Sequence, residues 1–370
     1  MKLRQLNIIN YKNIAEANLE FADGVNCLIG NNAMGKTNIL DAIYYLSFCR
    51  SYTAQTDQSV IRHNEPYMML QGTYDRRGVD EQVTVSLGQG RRKVVRRAGK
   101  EYQRLSQHIG LLPVVMISPM DWDLIRGPGE ERRRLMDQII SQGDKEYLDA
   151  LIRYGKAIEQ RNSMIRNDMR DPLLYETVET VIEQTAAIVH RCRAEFVERF
   201  TPIFMHYYSA IAGDQEPVSL AYISHLNDRA MHELLAANRE RDMAIGYTTR
   251  GVHRDDIELL LGNWSMRRTG SQGQCKTYTL ALRLAQFDFL RQSMPVTPLL
   301  LLDDIFDKLD AQRVERIIQV VSSDRFGQIF ITDTNRTHLD HIIGRMSGNH
   351  RMFMVIDGSC HVIEKGGEHQ

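Results

Sequence analysis

"GNNAMGKTNIL", residues 30–40, decides how this chain is read. Gly30, four intervening residues, then Gly35, Lys36 and Thr37 fit the phosphate-loop template, and the flanks are the ones it demands: the strand-like "VNCLI" before and the helical "TNILDAIYYLSF" after. The glycines permit a tight turn that aims the backbone N–H groups of Asn31, Asn32, Ala33 and Met34 at phosphate oxygens. Lys36 offers a compact cation to the β- and γ-phosphates, the Thr37 hydroxyl can ligate Mg²⁺, and the helix N-terminus through Asn38 adds its dipole. The pattern therefore predicts a nucleotide, with ATP and Mg²⁺ as the ligands.

Phosphoryl chemistry also needs a carboxylate for the metal and a group to orient water. "LLLLDD", residues 299–304, supplies both, because four apolar residues predict a fully buried strand with Asp303 and Asp304 at its carboxyl end, where ligands sit in α/β sheets. Asp303 is expected to hold the metal with Thr37, and Asp304 to polarise the water. Lys36, Asp303 and Asp304 are thus the candidate catalytic set.

Working outward, the 370-residue chain is 43% hydrophobic and 25% charged, a composition that excludes fibrous and disordered classes. Its formal net charge of -1 means that a nucleic-acid partner has to be sought in local basic clusters. Cys27, Cys49, Cys192, Cys275 and Cys360 are odd in number and never spaced as C-x-x-C, which argues against a disulfide framework and a zinc site. A reducing, cytoplasmic setting without a membrane anchor is expected, since "MKLRQLNIINYKNI" alternates like a strand and no apolar run reaches membrane-spanning length.

The opening third reads mainly as strands, with one helix starting at the glycine loop. From about Glu130 to Met205 apolar residues recur at spacings of three and four, predicting long helices, the longest of about thirty residues. The last part alternates buried strands with helices. The expected architecture is an α/β ATPase head with mixed sheets and an inserted helical arm. Its expected limits are 1–120 for the phosphate-loop part, 121–275 for the insertion and 276–370 for the returning part.

On these residues the chain resembles the ABC-type ATPases, and within them the RecF-type proteins of bacterial recombinational repair, relatives of the SMC heads. "IFDKLD", Ile305 to Asp310, is similar to the D-loop of that class, and "SQGQ", Ser271 to Gln274, to a degenerate ABC signature. Ser271 and Gly273 at a helix start form a second phosphate-binding cap; in the family, it closes over the nucleotide of a second subunit. Two longer stretches resemble RecF-type elements specifically: "SPMDWDLIRGPGEERRRLMD", residues 118–137, and "TTRGVHRDD", residues 248–256. The resemblance implies a weak, DNA-stimulated ATPase and an ATP-dependent homodimer. It also implies sequence-independent binding of gapped or double-stranded DNA, and work with RecO and RecR in loading RecA.

The chain also departs from the wider class. Asp304 stands where ABC enzymes carry a catalytic glutamate, which predicts slow hydrolysis, and no Q-loop glutamine follows "PVVMI". "FITDTN" replaces a switch histidine, leaving Thr332 and Asp333 as candidate γ-phosphate sensors. Lys12 in "NYKN" stands where the family often has an arginine near the nucleotide; it reads equally as a surface lysine.

The hairpin-like "GRRKVVRRAGKEYQR" gathers Arg91, Arg92, Lys93, Arg96 and Arg97, cations able to neutralise DNA phosphates without reading sequence. A solvated basic hairpin is the plainer reading. Arg132, Arg133 and Arg134 begin a helix, where cations oppose the dipole, so they are expected to serve DNA, acidic side chains of the arm, or a dimer interface. His253, Arg254, Asp255 and Asp256 read as a salt-bridged turn. Two other functions remain open at this level, an ABC transporter ATPase subunit and a P-loop small-molecule kinase.

Overall fold

The computed structural model describes residues 1–213, 216–306, 311–334, 336–345 and 349–363. Asp307 to Asp310, most of the D-loop-like run, lie outside the described residues. The chain forms two compact units, Met1–Asp121 with Gln286–Gln370, and Trp122–Ala285.

The first unit holds two six-stranded sheets. One runs in the order Ile14–Glu20, Lys2–Tyr11, Tyr67–Arg76, Val79–Gly88, Val94–Arg97, Lys100–Glu101, antiparallel throughout. Its strands alternate buried and accessible positions, as in Tyr67–Arg76, because one face meets the core. The other runs Ser359–Ile363, His350–Ile356, Val25–Ile29, Ile329–Asp333, Leu299–Asp303, Val114–Ile117, and only its edge strand Ser359–Ile363 is antiparallel. "VNCLI", "LLLLD" and "IFITD" are buried at every position. That is the expected state of parallel strands covered on both faces.

Helix Lys36–Phe48 touches strands of both sheets, and its burial extends around the helix, from Ile39, Leu40 and Ile43 to Tyr44, Tyr45 and Leu46. A helix hydrophobic all round is what a position between two sheets requires. The segment directly after the phosphate loop is therefore anchored on two sides.

The second unit contains helices Gly129–Gly143, Lys145–Arg166, Pro172–Ala212 and Met231–Ile245 with a three-stranded sheet ordered Trp264–Ser265, Asp256–Leu261, Val218–Ile223. Helix Pro172–Ala212 has 41 residues, longer than the expected thirty or so. Asp171 caps its start by accepting the N–H groups of Leu173 and Leu174, and Pro172 occupies the first turn, where its missing N–H costs nothing. Pro202 does not end it, because Phe196, Phe200, Phe204, Tyr208 and Ile211 continue the buried stripe across that point. Helix Met231–Ile245 is absent from the sequence expectation, since it buries only Met231, Leu234, Leu235 and Asp242.

Candidate functional site

In the first unit, strand Val25–Ile29 lies between Ile329–Asp333 and His350–Ile356, so the loop after it leaves from the middle of the parallel sheet at its carboxyl edge. Gly35 adopts φ 108°, a conformation open to glycine and strained for other residues. A Cβ at Gly35 would stand 2.8 Å from Asn13 Oδ1, and one at Gly30 would stand 2.4 Å from the Val355 carbonyl oxygen. Gly30 is therefore required by its close approach to backbone, and Gly35 by the turn.

Lys36 Nζ donates to the Gly30 and Asn31 carbonyls at 2.6 and 2.8 Å, folding the side chain back along the loop. Burial lowers its pKa, opposed by the charges of Asp304, Asp303 and Asp333. The loop is braced by Asn38, already among the candidate nucleotide-binding residues, and by Asn13 and Gly358, which the sequence reading did not single out. Asn13 Nδ2 donates to the Met34 carbonyl at 3.3 Å, Asn38 Nδ2 donates to Asn13 Oδ1 at 2.7 Å, and the Gly358 N–H donates to the Met34 carbonyl at 2.9 Å. The signal for Gly358 is legible, an Asp-Gly pair between two strands at residues 357–358. Asn13 carries no such signal beyond its place in a strand turn.

Asp303 ends strand Leu299–Asp303 and pairs in register with Thr332, which pairs with Leu28. This strand order carries Asp303 to the loop. Thr37 Oγ1 lies 2.9 and 3.0 Å from the two Asp303 oxygens, and Thr332 Oγ1 donates to Oδ1 at 2.8 Å. Burial pushes the Asp303 carboxyl above its usual range, while the Thr332 and Thr37 hydroxyls pull it back. Asp304 adopts φ 48° and its N–H meets Thr332 Oγ1 at 3.1 Å. Residues 32–38, Asp303, Asp304 and Thr332 line a cavity of about 150 Å³.

A hydroxyl and a carboxylate, both hard oxygen donors, suit Mg²⁺, which keeps few protein ligands and shares the rest of its sphere with water and phosphate. The buried Asp303 carboxylate opposite the Lys36 ammonium fits a polyphosphate with its cation. Asp333 is buried at the end of Ile329–Asp333 beside Ile29.

Lys12 is an inward anchor and not a cation open to a nucleotide. Its Nζ meets Asp41 Oδ2 and Thr53 Oγ1, each at 2.5 Å, with the side chain 13% exposed. Asp41, fully buried, also accepts from Tyr11, Ser51 and the Tyr52 N–H.

Strands Val94–Arg97 and Lys100–Glu101 form the basic hairpin, with Ala98 and Gly99 at positive φ in its turn. Arg91, Arg92 and Arg96 are exposed. Lys93 and Arg97 differ from the expectation. Lys93 Nζ donates to Asp57 Oδ2 at 2.7 Å and to the Cys49 carbonyl, and sits 5.2 Å over the Tyr45 ring. Arg97 makes a two-point pair with Glu81 at 2.8 and 2.6 Å. Lys93 is thereby withdrawn from solvent, whereas Arg97 stays exposed beside Glu81, so four of the five cations reach solvent and one of those four is ion-paired.

In the second unit, Ser271 stands directly before helix Gln272–Ser293. Ser271 Oγ accepts the Gln274 N–H at 3.2 Å while Gln274 Oε1 accepts the Ser271 N–H at 2.9 Å, a reciprocal capping box. Gly273 lies in the first turn.

The 248–256 run forms a buried ion-pair turn. Arg193 donates to Asp255 Oδ2 at 2.8 Å, to Asp137 Oδ1 at 2.9 Å and to the Val252 carbonyl at 2.7 Å. Arg132 pairs with both Asp256 oxygens at 2.7 and 2.8 Å, Arg133 donates to the Asp255 carbonyl at 2.8 Å, and Arg134 pairs with Glu131 at 3.0 Å. Of the three destinations left open for these arginines, the contacts are to groups of the same unit.

A phosphate loop at the centre of a parallel sheet, an adjoining antiparallel sheet, and a returning strand that ends in Asp303 define the ABC-type ATPase head. The sequence matches the RecF/RecN/SMC N terminal domain family over residues 2–358. It is 50% identical over 365 residues to the DNA replication and repair protein RecF of Parabacteroides distasonis, covering 99% of this chain and 100% of that one. It is 50% identical to the protein of the same name from Phocaeicola vulgatus, covering 97% of each. The chain belongs to the RecF family. Among solved structures, "the recombination mediator protein RecF-ATP in RecFOR pathway" superposes with a TM-score of 0.87 at 25% identity over 98% of each chain. An SMC head bound to the C-winged helix domain of ScpA shares the fold with a TM-score of 0.57 at 17% identity over 98% of each chain. Among the described residues no helix is long and apolar enough to cross a membrane.

Proposed function

We propose that this chain is an ATP-dependent DNA-binding switch of recombinational repair and replication. The observation that carries the reading is the meeting of Thr37, Asp303 and Thr332 around one small cavity beside Lys36, in a chain of the RecF family. The N–H groups of residues 31–38 cradle the polyphosphate, and Lys36 exchanges its two carbonyl partners for β- and γ-phosphate oxygens. Thr37 and Asp303 would hold Mg²⁺, which supplies charge neutralisation between the β- and γ-phosphates. Asp304 orients and polarises the water; its side chain is one methylene shorter than glutamate, which sets a slow hydrolysis rate. Thr332, hydrogen-bonded to Asp303, and Asp333 sense the γ-phosphate.

Ser271 and Gly273 of a second copy close over the same γ-phosphate, so that ATP joins two chains in one isologous interface. DNA affinity then follows nucleotide state, because the dimer is populated only when ATP is bound. The exposed Arg91, Arg92 and Arg96 meet duplex or gapped DNA through phosphates, DNA stimulates the weak ATPase, and the complex works with RecO and RecR to place RecA. The cytoplasm is the compartment in which this chemistry operates.

Light scattering on Asp304→Asn tests the reading. A mass that doubles with Mg-ATP and then retains a gapped duplex is expected, with Lys36→Ala staying monomeric. A protein that binds ATP and remains a monomer would overturn it.

A further inference from the structure

Next to the basic hairpin, in the same unit, lies a groove of about 550 Å³ whose lining includes Lys12, Gln58, Arg62, His63, Asn64 and Gln89. Nothing in the ATPase chemistry uses it. One wall is the irregular segment between helix Lys36–Phe48 and strand Tyr67–Arg76; the other is the turn after strand Val79–Gly88, which leads into Arg91 and Arg92. Side-chain amides stitch the two walls together. Gln58 Nε2 donates to the Gly88 carbonyl at 3.5 Å, the Gly90 N–H donates to Gln58 Oε1 at 3.3 Å, and Gln89 Nε2 donates to the Glu65 carbonyl at 2.9 Å. The groove is therefore tied to the turn that leads into Arg91 and Arg92.

The charges on this surface decide what it takes. Lys12 is neutralised by Asp41 and contributes its stem. Arg62 is 41% exposed and only loosely paired with Glu65 at 3.7 Å, a separation at which a phosphate oxygen can compete for the guanidinium. Arg91 and Arg92 are exposed on the adjoining turn, and His63, Asn64 and Gln89 add exposed imidazole and amide groups. A cationic rim over amide and hydroxyl groups, with Ile61 as the aliphatic side chain among the lining residues, suits the sugar-phosphate backbone of a nucleic acid.

We infer that this groove is a second phosphodiester-binding subsite, extending the DNA contact from the hairpin past Arg62. The inference rests on the reading that the hairpin meets DNA. Lys12 also gives the subsite a physical link to the nucleotide: it lines the groove and grips Asp41, which sits one helical turn beyond Thr37 on helix Lys36–Phe48.

The test is fluorescence anisotropy of the full chain with Mg-ATP and a fluorescein-labelled duplex across a KCl series, comparing Arg62→Gln, His63→Glu and the pair Arg91→Gln with Arg92→Gln. Arg62→Gln is expected to weaken binding several-fold and to reduce the slope of log affinity against log salt by about 0.9, the loss of one phosphate contact. His63→Glu, at an exposed lining position, is expected to weaken binding by repulsion and decides the matter should Arg62→Gln misfold. If both leave affinity and slope unchanged while the Arg91 and Arg92 variant binds more weakly, the groove is not a subsite and the hairpin reading stands. If none of the variants differs from the parent, DNA lies elsewhere and both readings fall. Retained duplex affinity with lost affinity for a polyglutamate peptide would assign the groove to an acidic protein and overturn the inference.

Discussion

The Thr37 hydroxyl and the Asp303 carboxylate, 266 positions apart in the chain, lie 2.9 and 3.0 Å apart in the fold. Thr332 donates to the same carboxylate, at Oδ1, over 2.8 Å. Burial alone favours the neutral acid at Asp303, and the two hydroxyls act against it. A carboxylate that is to hold Mg²⁺, as proposed for Asp303, has to be ionised, so on that reading the hydroxyls tune the site as well as shape it.

Replacing Thr332 with valine removes one of these donors and keeps the volume. The Asp303 pKa then rises further, and a lost hydrogen bond to a charged group is worth about 1.5–3 kcal/mol, roughly tenfold or more in binding. Thr332→Val is expected to bind Mg-ATP more weakly and to recover affinity as pH rises, because higher pH restores the ionised carboxylate. Fluorescence titration with a labelled ATP over a pH series checks this; a pH-independent defect would mean that Thr332 acts on the nucleotide by another route.

The basic hairpin separates into two kinds of cation. Lys93, with its side chain 10% exposed, pairs with Asp57 and lies over Tyr45, whereas Arg92 is exposed. Lys93→Ala is expected to cost about 1–3 kcal/mol of stability by leaving the buried Cys49 carbonyl without its Lys93 donor, while Asp57 keeps the Tyr45 hydroxyl. Arg92→Ala is expected to leave stability within about 0.5 kcal/mol and to weaken DNA binding uniformly across sequences. Denaturant unfolding alongside DNA titration distinguishes them, and the reverse pattern would contradict the assignment.

The same contrast marks what the amino-acid sequence could disclose. "GNNAMGKTNIL" and "LLLLDD" announce their elements because loop, helix start and buried strand are local properties. That Asp303 reaches Thr37 depends on the strand order, in which Ile329–Asp333 lies between the strands preceding each residue. No local pattern encodes that order. Lys93 looks like any member of a charge run until Asp57, 36 residues away, is brought beside it. Asn13 is invisible for the same reason, since its role comes from a turn of the antiparallel sheet reaching Met34, 21 residues later. Helix Met231–Ile245 is held partly by a charge, Asp242, which donates nothing to an apolar period and instead accepts from Arg161 at 2.8 Å.

Ser271 is the position at which the proposed ATP-dependent dimer can be tested. Its hydroxyl accepts from the Gln274 N–H, and its own N–H is taken by the Gln274 side chain, so the cap is complete within the chain. Ser271→Arg keeps Gln274 but loses the hydroxyl acceptor, a cost of about 1 kcal/mol, and sets a bulky cation where the proposed interface needs room for a γ-phosphate. Normal ATP binding with no ATP-dependent dimer is expected. Unchanged dimerisation in light scattering would remove Ser271 from the interface.

Within the second unit, His253 makes folding sensitive to acid. Its Nε2 lies 3.1 Å from the Thr248 carbonyl, which can only accept, so Nε2 carries the proton and Nδ1 accepts from the Tyr154 hydroxyl at 2.6 Å. Burial, helped by the positive charges of Arg254 and Arg133, lowers its pKa from 6.5 to about 4. Above pH 6.5 the imidazole is neutral in both folded and unfolded chains, and the native arrangement carries no penalty. As pH falls from 6.5 towards about 4, the unfolded chain takes up a proton that the folded chain refuses, so stability declines across that window. The loss is on the order of 3 kcal/mol from this residue when the window has been crossed. His253→Gln retains donor and acceptor groups without titrating, so it is expected to flatten the decline while lowering stability modestly at neutral pH. Urea unfolding of both proteins at pH 7.5 and at mildly acidic pH measures the difference. An acid-induced loss equal in the two proteins would place the sensitive group elsewhere.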